Sequence, residues 1–335
     1  MKTAKFQPYI LNFKRPSGTS RGVLNIKETY FIEISEDDKN GIGECSLFRG
    51  LSYDDVPDYE AKLEWLCHHI DEDFDFLKNE LKHFPSIVLG LEQALANLDQ
   101  EKNIYFPSAF TQGKDAIKIN GLIWMGNADY MKSQIEEKLE NNFSCIKLKI
   151  GVDWDSEKEI IKSLRKKFPK DQMELRVDAN GAFSTEKAKV VLEELSELEI
   201  HSIEQPIKAG KWEDMAELCK RTPTPIALDE ELIGILDSES KRELLNAIKP
   251  QYIILKPSLV GGFSGCDEWI ALAENNDIKW WITSALESNI GLNAIAQYTY
   301  NKKSPMPQGL GTGSLFTNNF PSPLFLKGEN LWFGN

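Results

Sequence analysis

Six ionisable residues recur at the ends of short apolar runs, and their spacing is close to constant. They lie in the motifs IKLKI, LRVDAN, SIEQP, IALDE and IILKPS, and they are Lys147, Lys149, Asp178, Glu204, Asp229 and Lys256. From Lys149 onward, successive positions are separated by 25 to 29 residues. An interval of that size fits one strand followed by one helix. The same end of each strand therefore recurs, and that end is where parallel barrels place their chemistry.

The three carboxylates predict a metal site. If adjacent strands carry Asp178, Glu204 and Asp229, their side chains lie within a few ångströms of one another and cannot all stay ionised without a cation. A set of oxygen ligands without His or Cys favours Mg²⁺ over zinc. The simpler interpretation is that these carboxylates only cap the helices that follow them.

The lysines predict general-base chemistry beside that metal. Lys147 and Lys149 are two residues apart on a strand and so face the same way. We expect their repulsion and burial to lower the pKa of at least one of them, leaving a neutral amine as a base. Lys256 would lie across the barrel mouth. This layout suits removal of a proton α to a carboxylate, although Lys147 could instead form a structural ion pair with a carboxylate.

The surrounding sequence predicts the elements that position these residues. Residues 1–110 indicate an α+β capping domain, with extended segments followed by two helical stretches. Residues 111–313 alternate strands with helices, which predicts a modified TIM barrel of the (β/α)7β type in the α/β class; an open doubly wound sheet is the alternative. The aromatic tail 314–335 is expected to complete the capping domain. The eight predicted strands are 117–124, 145–150, 175–178, 201–204, 226–229, 252–256, 279–283 and 308–311.

Net charge, apolar runs and cysteine spacing indicate which kinds of partner and compartment to expect. The chain has 335 residues and a net charge of −13, which argues against nucleic acid and anionic membranes as partners. It has no apolar run long enough to span a membrane and no signal-peptide pattern at its start, so we expect a cytoplasmic protein. The five cysteines are widely spread and contain no CxxC motif, which is typical of reduced packing residues. The oligomeric state stays open.

Taken together, the motifs KxK, DxN, EQP, DE and KP at successive strand ends resemble the muconate-lactonizing subgroup of the enolase superfamily. The resemblance covers nearly the whole chain. It implies that Asp178, Glu204 and Asp229 bind Mg²⁺, with Mn²⁺ as a substitute, and that the metal stabilises an enediolate. It further implies that Lys149 is the acid/base, that Lys256 is the second catalytic lysine and that Lys147 tunes Lys149. The residues expected to support the ligands or the substrate are Asn180 and Glu230.

Within the subgroup, three segments resemble an enzyme of menaquinone biosynthesis that dehydrates 2-succinyl-6-hydroxy-2,4-cyclohexadiene-1-carboxylate. They are INGL at 119–122, SALES at 284–288 and GLGTG at 309–313. The resemblance therefore implies a carbon–oxygen lyase that acts on a small carboxylate. The alternatives are an N-acylamino acid racemase or dipeptide epimerase and, in another class, a non-catalytic barrel that binds a metal–carboxylate ligand. Epimerases of the subgroup typically carry an aspartate pair on the eighth strand, and no Asp occurs in 309–313.

The substrate-binding residues are less sharply defined by the sequence. The candidates near strands seven and eight are Ser284, Glu287, Gly311 and Thr312, although Glu287 could simply cap the helix that begins near Ser288. The basic candidates for a second substrate carboxylate are Arg15, Arg21 and Arg49, in loops expected to close over the barrel mouth.

Overall fold

The computed structural model describes residues 1–19 and 22–334, and its first hundred residues form an antiparallel sheet covered by helices. The strands pair in the order β1 (Lys2–Thr19), β2 (Gly22–Glu36) and β3 (Lys39–Cys45). The helices are α1 (Tyr59–His69), α2 (Phe74–Glu80) and α3 (Pro85–Leu98). Strand β3 packs directly on α3, because Gly43 has no Cβ that would strike the carbonyl of Gly90.

The second sheet is parallel, and a helix follows each of its strands. Its order along the sheet is the order of the chain, as in a barrel wall. The strands are β5 (Gly121–Ile123), β6 (Cys145–Lys149), β7 (Glu174–Asp178), β8 (Ser202–Glu204), β9 (Ile226–Leu228), β10 (Tyr252–Leu255) and β11 (Lys279–Ile282). The helices are α4 (Ala128–Glu140), α5 (Trp154–Lys167), α6 (Thr185–Glu197), α7 (Trp212–Arg221), α8 (Ser238–Ile248), α9 (Gly262–Glu274) and α10 (Asn289–Lys302). The modified TIM barrel predicted from the sequence is confirmed.

Polar caps explain where several of these helices begin. The side chains of Asp153, Ser184 and Asp237 each accept a hydrogen bond from the backbone N–H three residues later. Such caps satisfy amide groups that the first turn of a helix leaves unpaired. Each helix therefore starts a few residues after the strand-end loop that carries the candidate chemistry.

The prediction of a regular eighth strand over residues 308–311 was wrong. Instead, two residues close the barrel through isolated parallel bridges, Ile119 with Gln308 and Thr283 with Gly309. The amide of Gly309 donates to the carbonyl of Ile282 at 2.8 Å. Thr283 packs so tightly against Gly309 that a Cβ there would overlap its side chain. The wall is thus complete, but the final strand is reduced to this short closing segment.

The first predicted barrel strand, 117–124, is divided in two. Its start, β4 (Ile117–Lys118), pairs with the tail strand β13 (Asn330–Phe333), which in turn pairs with β12 (Leu324–Lys327). Earlier in the tail, Phe316 packs on Phe13 of β1 with ring centroids 4.7 Å apart. The tail therefore contacts both the N-terminal sheet and the barrel, while the division into 1–110, 111–313 and 314–335 stays a prediction.

Two carboxylates of the N-terminal unit attach it to the barrel. Glu44 of β3 is buried and accepts hydrogen bonds from the amides of Ser288 and Gly291, both at 3.0 Å, at the start of α10. Glu92 of α3 accepts from the amides of Phe263 (2.5 Å) and Ser264 (3.1 Å) at the start of α9. A helix N-terminus favours negative charge, so each contact satisfies amides and complements the helix dipole.

Among the residues that the structure describes, no helix is both long enough and apolar enough to cross a lipid bilayer.

We predict that Glu44→Ala lowers the free energy of unfolding by about 3 to 5 kcal/mol. The substitution leaves two amides at the start of α10 without their acceptor and removes the negative charge nearest the buried Lys27. Urea unfolding measures the effect. The control is Glu33→Ala, which removes an exposed ion pair with Lys5 and should cost about 1 kcal/mol or less. Equal losses in the two variants would contradict the proposed anchoring.

A second prediction concerns pH. Burial raises the pKa of Asp54 to about 6 from an ordinary 3.8, although the amide and hydroxyl of Ser86 donate to its carboxylate. The folded protein therefore holds a proton that the unfolded chain releases between about pH 4 and 6, and this group's contribution to stability falls as pH rises through that window. Asp54→Asn keeps an acceptor oxygen but cannot titrate. In this variant we expect the free energy of unfolding to decline with pH less steeply, by about 1 kcal/mol per pH unit.

The measurement is urea unfolding at several pH values between 4 and 7, with Asp58→Asn, an exposed aspartate before α1, as the control. A wild-type slope that survives in Asp54→Asn would show that another group is responsible.

Candidate active site

The charged residues predicted at the strand ends lie together at the carboxyl rim of the barrel. In the parallel register Lys149 is level with Asp178, and Asp178 with Glu204. Asp229 follows β9 directly, and Lys256 follows β10. Adjacent parallel strands in register present the same end to the same rim. The three carboxylates are almost completely buried, with 1 to 2% of each residue exposed.

Lysine amino groups lie against each carboxylate. Lys149 Nζ lies 2.9 Å from Asp178 Oδ2, and Lys147 Nζ lies 2.6 Å from Glu204 Oε2 and 3.4 Å from Asp178 Oδ2. Lys256 Nζ pairs with Asp229 Oδ2. The expectation that Lys147 and Lys149 face the same way is met, since both line the same cavity.

The carboxylates meet part of what a divalent cation requires. Within residues 1–19 and 22–334, no three His, Cys, Asp or Glu side chains are grouped closely enough to hold a metal ion, and Lys147 lies near both Asp178 and Glu204. However, buried Glu204 Oε1 has no hydrogen-bond partner among the same residues. Burial, together with the charges of Asp178 and Asp229, raises the pKa of Glu204 well above its usual range. An acceptor without a donor and mutually repelling carboxylates fit a hard cation.

The predicted lowering of a lysine pKa was wrong for Lys147. Burial acts to lower the pKa of Lys147, but the charges of Glu204 and Asp178 outweigh it and raise the value. The pKa of Lys256 is raised in the same way, with Asp229 as the largest favourable charge. Conversely, the lysine charges overcome burial and hold the pKa of Asp178 below its usual range. At Lys147, attraction to the carboxylates therefore outweighs both burial and the charge of Lys256.

Asn180 links the lysine to the second acidic residue of the DE motif. Its Oδ1 accepts a hydrogen bond from Lys149 Nζ at 2.6 Å, and its Nδ2 donates to Glu230 Oε1 at 3.0 Å. The backbone of Asn180 is left-handed, with φ of 44°, a conformation that Asn adopts more readily than most residues. The contacts link Asn180 to Lys149 and to Glu230, and the supporting roles of Asn180 and Glu230 stay a prediction.

Gln205, in the EQP motif, is a residue whose role the sequence reasoning missed. It is fully buried, and its Oε1 accepts from the amides of Asp229 and Glu231, both at 3.2 Å. Its Nε2 donates to Glu231 Oε2 and to the carbonyl of Ile207, both at 3.0 Å. Gln205 therefore fixes the backbone that carries Asp229. The motif itself was the available signal, since an amide next to a candidate ligand can orient a neighbouring strand end.

A cavity of about 80 Å³ lies over the rim, and the part of its wall that comes from residues 283–286 and 309–312 is uncharged. It includes Ser284 and Thr312, whose hydroxyls are 2.6 Å apart, and the backbone of Gly311. Phe48 and Leu51 from the N-terminal unit close it from above. Ser284, Gly311 and Thr312 are thus placed to contact a ligand held at the rim.

Glu287 lies behind this wall. It is fully buried and accepts from Ser258 Oγ at 2.9 Å and from the amide of Ala285 at 2.7 Å. The alternative that Glu287 caps the following helix was wrong, because the N-cap of α10 is Ser288, which bonds the amide of Ile290 through its own hydroxyl. Glu287 instead holds the loop that forms the cavity wall.

The three candidate arginines differ in position. Arg49 is bound to Glu28 at 2.8 Å and Asp55 at 2.7 Å on the exposed surface. Arg15 lies on the exposed outer part of β1. Arg21 falls outside the described residues. Arg49 is thus already committed to two carboxylates, which weakens its candidacy for a substrate carboxylate.

Comparison with known proteins agrees with this geometry. The family described as "Enolase C-terminal domain-like" matches residues 130–310. An o-succinylbenzoate synthase of Desulfotalea psychrophila is 46% identical over 95% of each chain. The crystal structure of MenC from Desulfotalea psychrophila matches with a TM-score of 0.88 and 41% identity over 99% of both chains. An N-succinylamino acid racemase of Thermus thermophilus is 35% identical over 157 residues, 47% of this chain and 40% of its own.

We predict that Gln205→Leu weakens Mg²⁺ binding about 10- to 100-fold while the barrel still folds, because the Asp229 backbone loses its support. Titration calorimetry with MgCl₂ measures this affinity. Gln172→Leu, in an exposed turn before β7, is the matched control and should bind like the wild type. Unchanged affinity in Gln205→Leu would remove Gln205 from the support of the site.

Proposed function

Since the chain belongs to the enolase superfamily, we propose that it is a Mg²⁺-dependent carbon–oxygen lyase that dehydrates 2-succinyl-6-hydroxy-2,4-cyclohexadiene-1-carboxylate to 2-succinylbenzoate. The observation that carries this proposal is the 46% identity to an o-succinylbenzoate synthase across 95% of both chains. The rim of buried carboxylates and lysines supports it, because the reaction begins with removal of a proton α to a carboxylate.

In this proposal Asp178, Glu204 and Asp229 hold the Mg²⁺ ion. All three are buried at one rim, and Glu204 keeps an oxygen that no donor among the described residues satisfies. When bound, the ion supplies positive charge that stabilises the substrate carboxylate as negative charge develops on it. Asn180 and Gln205 position the surrounding residues through the hydrogen bonds described above.

Lys149 is the acid/base of the proposed reaction. It lines the cavity, and Asn180 orients its amine through a 2.6 Å contact. It takes the proton from the ring carbon next to the carboxylate, and the same proton is then delivered to the departing hydroxyl. The C–H and C–O bonds break, water leaves, and the ring becomes aromatic. A residue that receives and then returns one proton needs no exchange with solvent.

Lys256 has an electrostatic role in this scheme. It also lines the cavity, and the raised pKa of its amine beside Asp229 keeps it protonated. A fixed ammonium group stabilises the negative charge that develops when Lys149 removes the proton. Lys147, bound to both Glu204 and Asp178, balances the charge of the ligand carboxylates and thereby tunes Lys149.

The substrate is a small dicarboxylate, and we place the reaction in menaquinone biosynthesis in the cytoplasm. The five cysteines form no disulfide among the described residues, which suits that compartment. The uncharged wall formed by Ser284, Gly311 and Thr312 suits a substrate without an ammonium group.

The second candidate function is racemisation of an N-acylamino acid. The observation that favours it is the partial match to an N-succinylamino acid racemase. Lys149 and Lys256 line the same cavity and could act on opposite faces of one carbon atom. Incubation with an N-succinylamino acid in D₂O would then give exchange of the α-hydrogen with inversion, which the dehydration reaction does not produce.

We predict that Lys149→Ala lowers kcat for dehydration at least about 10³-fold, since the variant lacks the amine that Asn180 orients in the cavity as the proposed base. The change in absorbance as the diene ring becomes aromatic reports the rate, and circular dichroism reports the fold. The matched control is Lys167→Ala at the exposed end of α5, which should react like the wild type. Wild-type turnover in Lys149→Ala would overturn the assignment of the base.

A further inference from the structure

Trp124 forms one wall of the cavity beside the candidate base. It follows β5 directly, and alternate residues of this segment, Asn120, Leu122 and Trp124, all line the cavity. Alternation places them on the same face of the strand, toward the barrel interior. The indole lies with Lys149 Nζ 5.9 Å from its centre. The ring therefore borders the place where a proton would be removed.

The backbone of Trp124 is held by one side chain of α4. The amide of Trp124 donates to Gln134 Oε1 at 2.9 Å, and Gln134 Nε2 donates to the carbonyl of Trp124 at 3.0 Å. A side-chain amide that binds both backbone groups of one residue fixes its position much as a paired strand would. This matters because β5 has ended, and the next helix begins only at Ala128.

Apolar residues from distant parts of the chain support the indole. Trp124 packs against a buried cluster formed by Leu11 and Phe13 of β1, Leu286 of the loop after β11, and Phe316 of the tail. Packing of this kind restricts a large ring to a narrow set of orientations. One part of the ring is thus supported by the protein, while another faces the cavity.

We propose that Trp124 is a substrate-binding residue whose indole contacts the six-membered ring of the substrate, and that Gln134 is a positioning residue that sets the indole in place. The inference rests on the proposed function and deepens it. An indole offers a large apolar face to a planar diene or benzene ring, and aromatic pairs gain energy beyond the area that they bury. The contact would therefore select cyclic carboxylates over acyclic ones that carry the same succinyl group.

The test compares the binding of two ligands to the Mg²⁺-loaded protein by titration calorimetry. One ligand is 2-succinylbenzoate, and the other is N-succinylglycine, which has no ring. We expect Trp124→Leu to weaken binding of 2-succinylbenzoate about tenfold but to weaken binding of N-succinylglycine about twofold or less. We expect Trp124→Phe, which keeps an aromatic face, to lose less than about threefold. Gln134→Ala should show a smaller loss with the same preference between ligands.

Trp212→Leu, in α7 on the outside of the barrel, is the matched control and should bind both ligands like the wild type. Wild-type affinity for 2-succinylbenzoate in Trp124→Leu would overturn the proposal, and so would equal losses for the two ligands. If Trp124→Leu does not fold, the decision passes to Gln134→Ala, whose equal effect on both ligands would overturn it. Failure of the wild type to dehydrate the cyclohexadiene substrate would instead overturn the proposed function.

Discussion

Opposite charges buried together at one rim are the constraint on which this site depends. Asp178, Glu204 and Asp229 would repel one another strongly without compensation, and in the structure the amino groups of three lysines lie against them. Desolvation makes each buried charge costly, so such a cluster persists only where its partners and hydrogen bonds are fixed. The barrel fixes them, because neighbouring parallel strands end in register. A divalent ion at the same place would share this role with the lysines.

The N-terminal unit is joined to the barrel by a related principle. Glu44 and Glu92 each bind the amides at the start of a barrel helix, so the unit that closes the cavity is attached by electrostatic contacts as well as by apolar packing. Close approach requires small residues at the helix starts. At Gly291 a Cβ would lie 2.6 Å from Glu44 Oε2, and at Gly262 it would collide with Glu92. Glycine at these two positions allows the carboxylates to reach the backbone.

The rim could be predicted from the sequence because a strand–helix unit has a nearly constant length, so regular spacing reveals which residues share one end of the sheet. The direction of the pKa shift of Lys147 could not be predicted in this way, since it depends on whether the dominant neighbouring charge is another lysine or Glu204. Gln205 and Trp124 were missed for a related reason. Their roles follow from partners far along the chain or from a short loop, and neither changes the apolar pattern. Residues 308–311 include two glycines, a residue type that is rare in strands, and tertiary pairing uses only Gln308 and Gly309.

The short closing segment of the barrel has a consequence for how the chain folds. Gln308 and Gly309 join residues near position 119 to residues near position 283, so the cylinder is completed by contacts of very large sequence separation. Bringing such distant segments together carries an entropic cost that local helices do not share, and folds rich in these contacts form slowly. During synthesis the cylinder therefore stays open until residues 308 and 309 have left the ribosome, and β12 and β13 can add to β4 only after that.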